Sequence, residues 1–243
     1  MDPAVLRDDM VDSLEHQSKR CVRSEAVSMA MRTVPRHAFV DDERAAYADR
    51  AFERYGTRVL APSTVGRLLE ALEPEPDDNV LVVGAGVGYT TAVLAEIVGA
   101  RNVQAVDINR RLVYDARENL AEAGYGAVLV DCKDGADGLS AYAPYDRILL
   151  EAAAVSPPRA LVRQLAADGR LVMPLGAGTQ SIATIDAEGN AERLGGCAFA
   201  PMLVEGEQAT TVERNRTRRE DREFAQRDPQ RRKGWELDWI DWD

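Results

Sequence analysis

Between residues 80 and 173 the chain alternates short, β-branched apolar runs with amphipathic stretches, and this rhythm restricts the possible folds more than any other feature. The spacing predicts strands over 80–83, 103–106, 127–130, 147–151 and 170–173. Helices are predicted over 90–98, 110–123, near 136–141 and over 158–166. Strands that alternate with helices of this length pair in parallel, because each crossover brings the chain back in the same direction. The expected fold is α/β, a Rossmann-like doubly wound sheet, mostly parallel. It closes with an antiparallel C-terminal hairpin where "SIATIDAEGNAERLG" turns around Glu188, Gly189 and Asn190. Upstream, Val5, Leu6, Met10, Val11 and Leu14 recur at helical spacing, so residues 1–33 read as helices up to a break at Pro35. "DDERAAYADRAF" is polar and partly helical, Gly56 marks a turn, and "STVGRLLEALE" is a helix capped by Ser63 or Thr64.

The first strand of the alternation runs into Gly84, Gly86 and Gly88 before the helix begins. Glycine at a strand-to-helix turn permits positive φ and lets a ligand approach backbone N–H groups at a helix N-terminus. The dinucleotide fingerprint needs G-x-G-x-x-G, whereas the third glycine here falls one residue early and Tyr89 takes the sixth place. A pyrophosphate is therefore disfavoured. The next strand, in "NVQAVDINRRL", ends in Asp107, about twenty residues beyond the glycines, where a carboxylate can accept both ribose hydroxyls. Ribose without pyrophosphate points to S-adenosylmethionine. Taken alone, the glycines are also compatible with a purely steric turn.

A chain of 243 residues, 45% hydrophobic, can bury the core of one sizeable α/β domain with additions. Its formal charge of −11 argues against nucleic acid and against anionic membrane surfaces as partners. Lys19, Lys133 and Lys233 are the only lysines among the 30 basic residues. Such a lysine-poor, acidic surface suits a salt-rich cytoplasm, although a GC-rich genome favouring arginine codons explains the same bias. Cys21, Cys132 and Cys197 are odd in number and far apart, so neither a disulfide framework nor a metal site is implied. No run reaches the roughly 18 apolar residues of a membrane span, and the acidic N-terminus is unlike a signal peptide. The expectation is a cytoplasmic protein.

From about residue 207 the composition changes to "ERNRTRREDREFAQRDPQRRK", almost wholly charged, followed by "GWELDWIDWD" with all three tryptophans. Three large aromatics in a tail imply docking, either on the chain's own core or, through residues 235–243, on a protein partner.

Several segments together resemble the protein-L-isoaspartate O-methyltransferase family, in the family's order across roughly residues 28–205. They are "VPRHAFV", "AYADRAF", "GTRVLAP", "VLVVGAGVGYTTAVLAEIVG", "DGADG", "APYDRILLEAAA", "PPRALVRQLAADGRLVMPLG" and "FAPM". The resemblance implies a class I methyltransferase fold with S-adenosyl-L-methionine as cofactor. It implies methyl transfer to the carboxylate of L-isoaspartyl residues in damaged proteins. It divides the chain into an N-terminal helical segment and substrate loop (1–62), a cofactor-binding domain (63–206) and a C-terminal extension (207–243). By position, Gly84, Gly86 and Gly88 would line the methionine part of the cofactor, Asp107 would take the ribose and Asp134 would sit by the adenine. Lys133 stands where the family has the first glycine of G-D-G.

On the acceptor side the chain departs from the family. Where the family reads G-Q-T-I-S-A-P-H, this sequence has "GTRVLAPS": Thr57, Arg58, Leu60 and Ser63 occupy the glutamine, threonine, serine and histidine positions. Glu151 stands where threonine is common, and a carboxylate there repels an anionic substrate unless it is protonated or paired, for instance with Arg58. These departures leave a second reading open, a non-catalytic cofactor-binding module that recognises partners through its extension. A carboxylate acceptor is already ionised at neutral pH and needs no general base, so His16 and His37 read as structural.

Overall fold

The computed structural model describes residues 2–203, so the charged and tryptophan-bearing extension lies outside the described residues. Helix α1 (Pro3–Glu15) starts at Asp2, whose carboxylate accepts the Ala4 N–H, and Pro3 takes a first-turn position where its missing donor costs nothing. Helix α2 (Glu25–Thr33) is capped by the Ser24 hydroxyl. Arg32 of α2 ties the two helices together, reaching Asp12 at 2.6 Å and Glu15 at 3.0 Å.

The segment expected to be partly helical instead forms turns that lead into a β-hairpin, β1 (Phe52–Arg54) against β2 (Thr57–Val59). Its two-residue loop, Tyr55-Gly56, has φ of 48° and 75°. Positive φ at both central residues is the geometry whose twist matches paired strands. Helix α3 (Pro62–Leu72) has Ala61 as its N-cap residue, with no side-chain cap, because Pro62 takes the first helical position and places Ser63 and Thr64 inside the first turn. The Ser63 N–H is satisfied instead by the Asp49 carboxylate at 3.0 Å.

The alternation then appears as β3 (Val80–Val83), α4 (Tyr89–Val98), β4 (Val103–Asp107), α5 (Arg110–Glu122), β5 (Leu129–Cys132), β6 (Tyr145–Leu150), α6 (Arg159–Val162), β7 (Leu165–Leu175), β8 (Gln180–Ile185) and β9 (Ala191–Cys197). The sheet order is β5-β4-β3-β6-β7-β8-β9, parallel from β5 to β7, with β8 and β9 antiparallel. This is a class I methyltransferase type of sheet, closed by the expected hairpin. The Asp186 carboxylate at its turn accepts from the Asn190 backbone and side chain, each at 2.8 Å.

Side chains alternate across the sheet. Val80 and Val82 of β3 face α1 to α5 in one core, while Leu81 and Val83 face a second core with Leu161 of α6. That second layer is thin. The helix expected near 136–141 is two 3-10 turns, and the helix expected over 158–166 is only four residues long. Gln164 explains part of this: its amide accepts the Leu139 N–H at 3.0 Å and donates to the Asp137 carbonyl at 2.7 Å, taking backbone groups a longer helix would pair internally.

Candidate functional site

Strand order reverses between β3 and β6, since the chain winds outward from β3 through β4 to β5 and then outward on the other side from β6 to β7. Crossovers leave in opposite directions there and open a crevice outside the carboxyl ends of the strands. A cleft of about 310 Å³ occupies this place. It is lined by the ends of β3 (Val83, Gly84, Gly86), β4 (Val106, Asp107, Ile108, Asn109) and β6 (Leu150, Glu151, Ala152), by Gly135 after β5, and by Gly56, Thr57 and Arg58 of the hairpin.

The glycine turn folds back over β4, with the Gly84 and Ala85 N–H groups both donating to the Val106 carbonyl, at 2.8 and 3.0 Å. Gly84 and Gly86 have φ of 87° and 55°, which side-chain-bearing residues rarely adopt. A Cβ on Gly86 would meet nothing within 4 Å, so the backbone there stands open to the cleft. Gly88 is different. It is the N-cap residue of α4, and a Cβ on it would lie 3.2 Å from the Leu120 side chain, so it serves the packing of α4 on α5 and does not line the cleft.

Asp107 is 8% exposed and braces the same turn: one carboxylate oxygen accepts the Gly86 N–H at 2.9 Å, the other the Asn109 N–H at 2.8 Å. Burial pushes its carboxyl above the ordinary range, against the two N–H donors that pull it down. Each oxygen keeps a lone pair for a further donor. Asp134 caps the turn after β5 by accepting the Ala136 N–H at 2.9 Å, and its neighbour Gly135 reaches the cleft.

Of the four acceptor-side positions, the structure brings Thr57 and Arg58 to the cleft and leaves Leu60 and Ser63 outside its lining. Leu60 packs against the larger core. Its carbonyl accepts a 2.7 Å hydrogen bond from Arg36, whose fully buried guanidinium also donates to the Ala46 carbonyl at 2.8 Å and stacks 4.6 Å from the Tyr89 ring centre. Burial pulls the Arg36 pKa below the usual value. Arg54 holds the hairpin from its other side, pairing with Asp41 at 2.6 Å and with Asp115 of α5 at 2.7 Å.

Glu151 follows β6, and its N–H donates to the Val83 carbonyl at 2.8 Å. Its Oε1 is sealed from water without a hydrogen-bond partner. Burial pushes this carboxyl up to about 8; Asp107's charge acts in the same direction, and a hydrogen bond with the Thr90 side chain acts against both. Glu151 is therefore mainly a neutral acid at pH 7. No ion pair joins it to Arg58 among the described residues, so protonation, and not the pairing considered from sequence, removes its charge.

Sequence reasoning gave no role to Ala200, Pro201, Met202 and Leu203, which close one side of the cleft. They are sewn beside Ala153 through its N–H to the Ala200 carbonyl and the Met202 N–H to its carbonyl, each 2.8 Å. "FAPM" was the available signal. Among the described residues no cluster of three or more His, Cys, Asp or Glu side chains is placed to hold a metal ion, and no helix is long and apolar enough to cross a membrane. Cys21 is buried, Cys197 half-buried and Cys132 exposed, all free.

Residues 7–207 match the family model for protein-L-isoaspartate(D-aspartate) O-methyltransferase. A protein-L-isoaspartate O-methyltransferase from Aeropyrum pernix is 47% identical over 182 residues, 72% of this chain and 69% of the relative. One from Roseiflexus sp. is 40% identical over 221 residues, covering 88% and 98% of the two chains. Among solved structures, a Plasmodium falciparum protein assigned as a protein-L-isoaspartate O-methyltransferase, in complex with S-adenosyl-L-homocysteine, superposes with a TM-score of 0.73 at 21% identity. That match covers 81% of this chain and 98% of the other, a likeness of fold.

Proposed function

We propose, from the premise that the chain belongs to the protein-L-isoaspartate(D-aspartate) O-methyltransferase family, that it is an S-adenosylmethionine-dependent enzyme that methylates the carboxylate of L-isoaspartyl residues in damaged proteins. The observation that carries this is the meeting, in one cleft, of the open glycine turn braced by Asp107 with Thr57 and Arg58 of the hairpin. Gly84, Gly86 and Asp107 fit the cofactor. The open face at Gly86 admits a ligand against backbone, and Asp107 keeps acceptor capacity for ribose hydroxyls. Asp134 and Gly135 are assigned to the adenine side. Gly88 acts through the packing of α4.

When bound, the cofactor supplies a sulfonium methyl group to a carboxylate oxygen. The residues' task is then to orient the acceptor and exclude water, effects worth about 7–11 kcal/mol when geometry is right. Arg58 at the cleft offers the positive charge that draws a carboxylate in. The competing view of a non-catalytic recognition module drew on Leu60 and Glu151. Leu60 packs away from the cleft and Glu151 is mainly uncharged at pH 7, so neither blocks an anionic acceptor.

Tritiated methyl transfer to an isoaspartyl peptide, at low and high salt, tests the proposal. A base-labile methyl ester is expected. Its absence at every salt concentration overturns the enzymatic assignment.

A further inference from the structure

Glu151 brings to the cleft a carboxyl to which the chemistry above gives no task. Its backbone is fixed by the Val83 carbonyl, and its Cβ lies 3.6 Å from where a Cβ on Gly84 would stand, so it sits beside the glycine turn. Asp107 and Gly86 flank it on the cofactor side, with Thr57 and Arg58 in the same cleft on the acceptor side. The family's serine and histidine positions hold Leu60 and Ser63, outside the lining. An incoming carboxylate therefore lacks those donors, and Glu151, which lines the same cleft, carries one buried carboxyl oxygen that nothing satisfies. That oxygen is closed to solvent as the side chain stands, so the carboxyl must turn toward the cleft to reach a ligand, and the cost of a buried polar atom without a partner favours that turn.

We propose that Glu151, as a neutral acid, donates a hydrogen bond to the non-attacking oxygen of the acceptor carboxylate and so helps to select ionised carboxylates at this cleft. An acid–carboxylate O–H···O⁻ bond is charge-assisted, short and stronger than a neutral one. The attacking oxygen stays unencumbered, and Glu151 keeps its proton throughout. This role rests on the methyl-transfer assignment.

The groups facing Glu151 settle its response to pH. The Thr90 hydroxyl on α4 favours the anion, Asp107 at the end of β4 disfavours it to a smaller extent, and Arg58 on β2 is exposed at the rim. Burial dominates and holds the proton up to about pH 8. Above that, Glu151 becomes an anion opposed to the acceptor.

The test uses the full chain and an N-acetylated isoaspartyl peptide free of histidine and cysteine. Two quantities are measured from pH 6 to 9: kcat/KM, and the peptide's Kd by calorimetry with S-adenosylhomocysteine present. The wild type should lose kcat/KM on the alkaline side with a midpoint near 8, and peptide affinity should fall about tenfold by one pH unit above it. Glu151→Ala should weaken peptide binding at pH 6.5 by roughly ten- to a hundredfold, the loss of a charge-assisted bond. Glu151→Gln, still a neutral donor, should recover most of that loss and abolish the alkaline fall. A flat wild-type profile, an alkaline fall that survives in Glu151→Gln, or Glu151→Ala binding peptide like the wild type overturns the role while leaving the methyl-transfer assignment intact. Wild type that binds S-adenosylhomocysteine yet neither binds nor methylates the peptide overturns both.

Discussion

Two carboxyls in one cleft differ because their surroundings differ. Asp107 is buried but accepts two backbone N–H groups, while Glu151 has one oxygen with no donor at all, so the same burial raises the second further. Asp107 braces the turn through the Gly86 N–H and keeps lone pairs that, on the proposed reading, take the ribose hydroxyls. Asp107→Ala should weaken S-adenosylhomocysteine binding by roughly ten- to over a hundredfold, since lost hydrogen bonds to a charged group cost about 1.5–3 kcal/mol. Calorimetry checks this, and wild-type affinity in the variant would refute the ribose assignment. Of the cleft lining, Gly84, Gly86 and Asp107 were legible because they sit at the ends of strands with an unmistakable apolar pattern, whereas Gly88, expected beside them, packs α4 on α5. The neutral state of Glu151 was not, because it follows from the walls around that side chain, which are assembled from β3, β4 and α4.

Among the elements, the hairpin β1–β2 lines the cleft with Gly56, Thr57 and Arg58 and was the least visible in sequence. Its strands are three residues long and mix Phe52 and Val59 with Glu53, Arg54 and Arg58, so period-two alternation has no room to register. By contrast, β3 is four buried residues in a row and was read to its exact bounds. The hairpin is held from beneath by Arg36, a buried cation with no ion-pair partner within 4 Å among the described residues, whose fork joins the carbonyls of Ala46 and Leu60 on the two sides of the loop. Lysine keeps the charge but cannot span both carbonyls. Arg36→Lys should leave at least one buried carbonyl unpaired at a cost of about 1–3 kcal/mol, with a Tm loss of about 2–4 °C per kcal/mol. Because the hairpin carries Thr57 and Arg58, KM for the peptide should rise several-fold while S-adenosylhomocysteine affinity holds. An equal loss of both would mean that Arg36 supports the whole fold and not the hairpin.

At the scale of the whole molecule, excess charge and specific pairing pull in opposite directions as salt is added. The chain carries 41 acidic against 30 basic residues, a net −11, and self-repulsion of that size destabilises a compact state. Salt relieves it. The pairs of Arg32 with Asp12 and of Arg54 with Asp41 are instead weakened by salt, but they are surface pairs, with Asp12 and Asp41 side chains 67% and 77% exposed; the pair that joins the hairpin to α5, with Asp115 only 19% exposed, is screened less. Surface pairs are worth about 0–1 kcal/mol each, so repulsion should dominate the balance. Raising KCl from about 0.01 to 0.1 M shortens the screening length from about 30 to about 10 Å, enough to damp repulsion across the molecule while leaving contacts of a few ångströms largely intact. Tm should therefore rise over that interval, and a differential scanning measurement on the full chain at constant pH checks it. A Tm that falls would mean that the exposed pairs at Arg32 and Arg54 contribute more than their exposure allows. The acidic surface would then need an explanation other than tolerance of salt, of which arginine-favouring codons are the plainest.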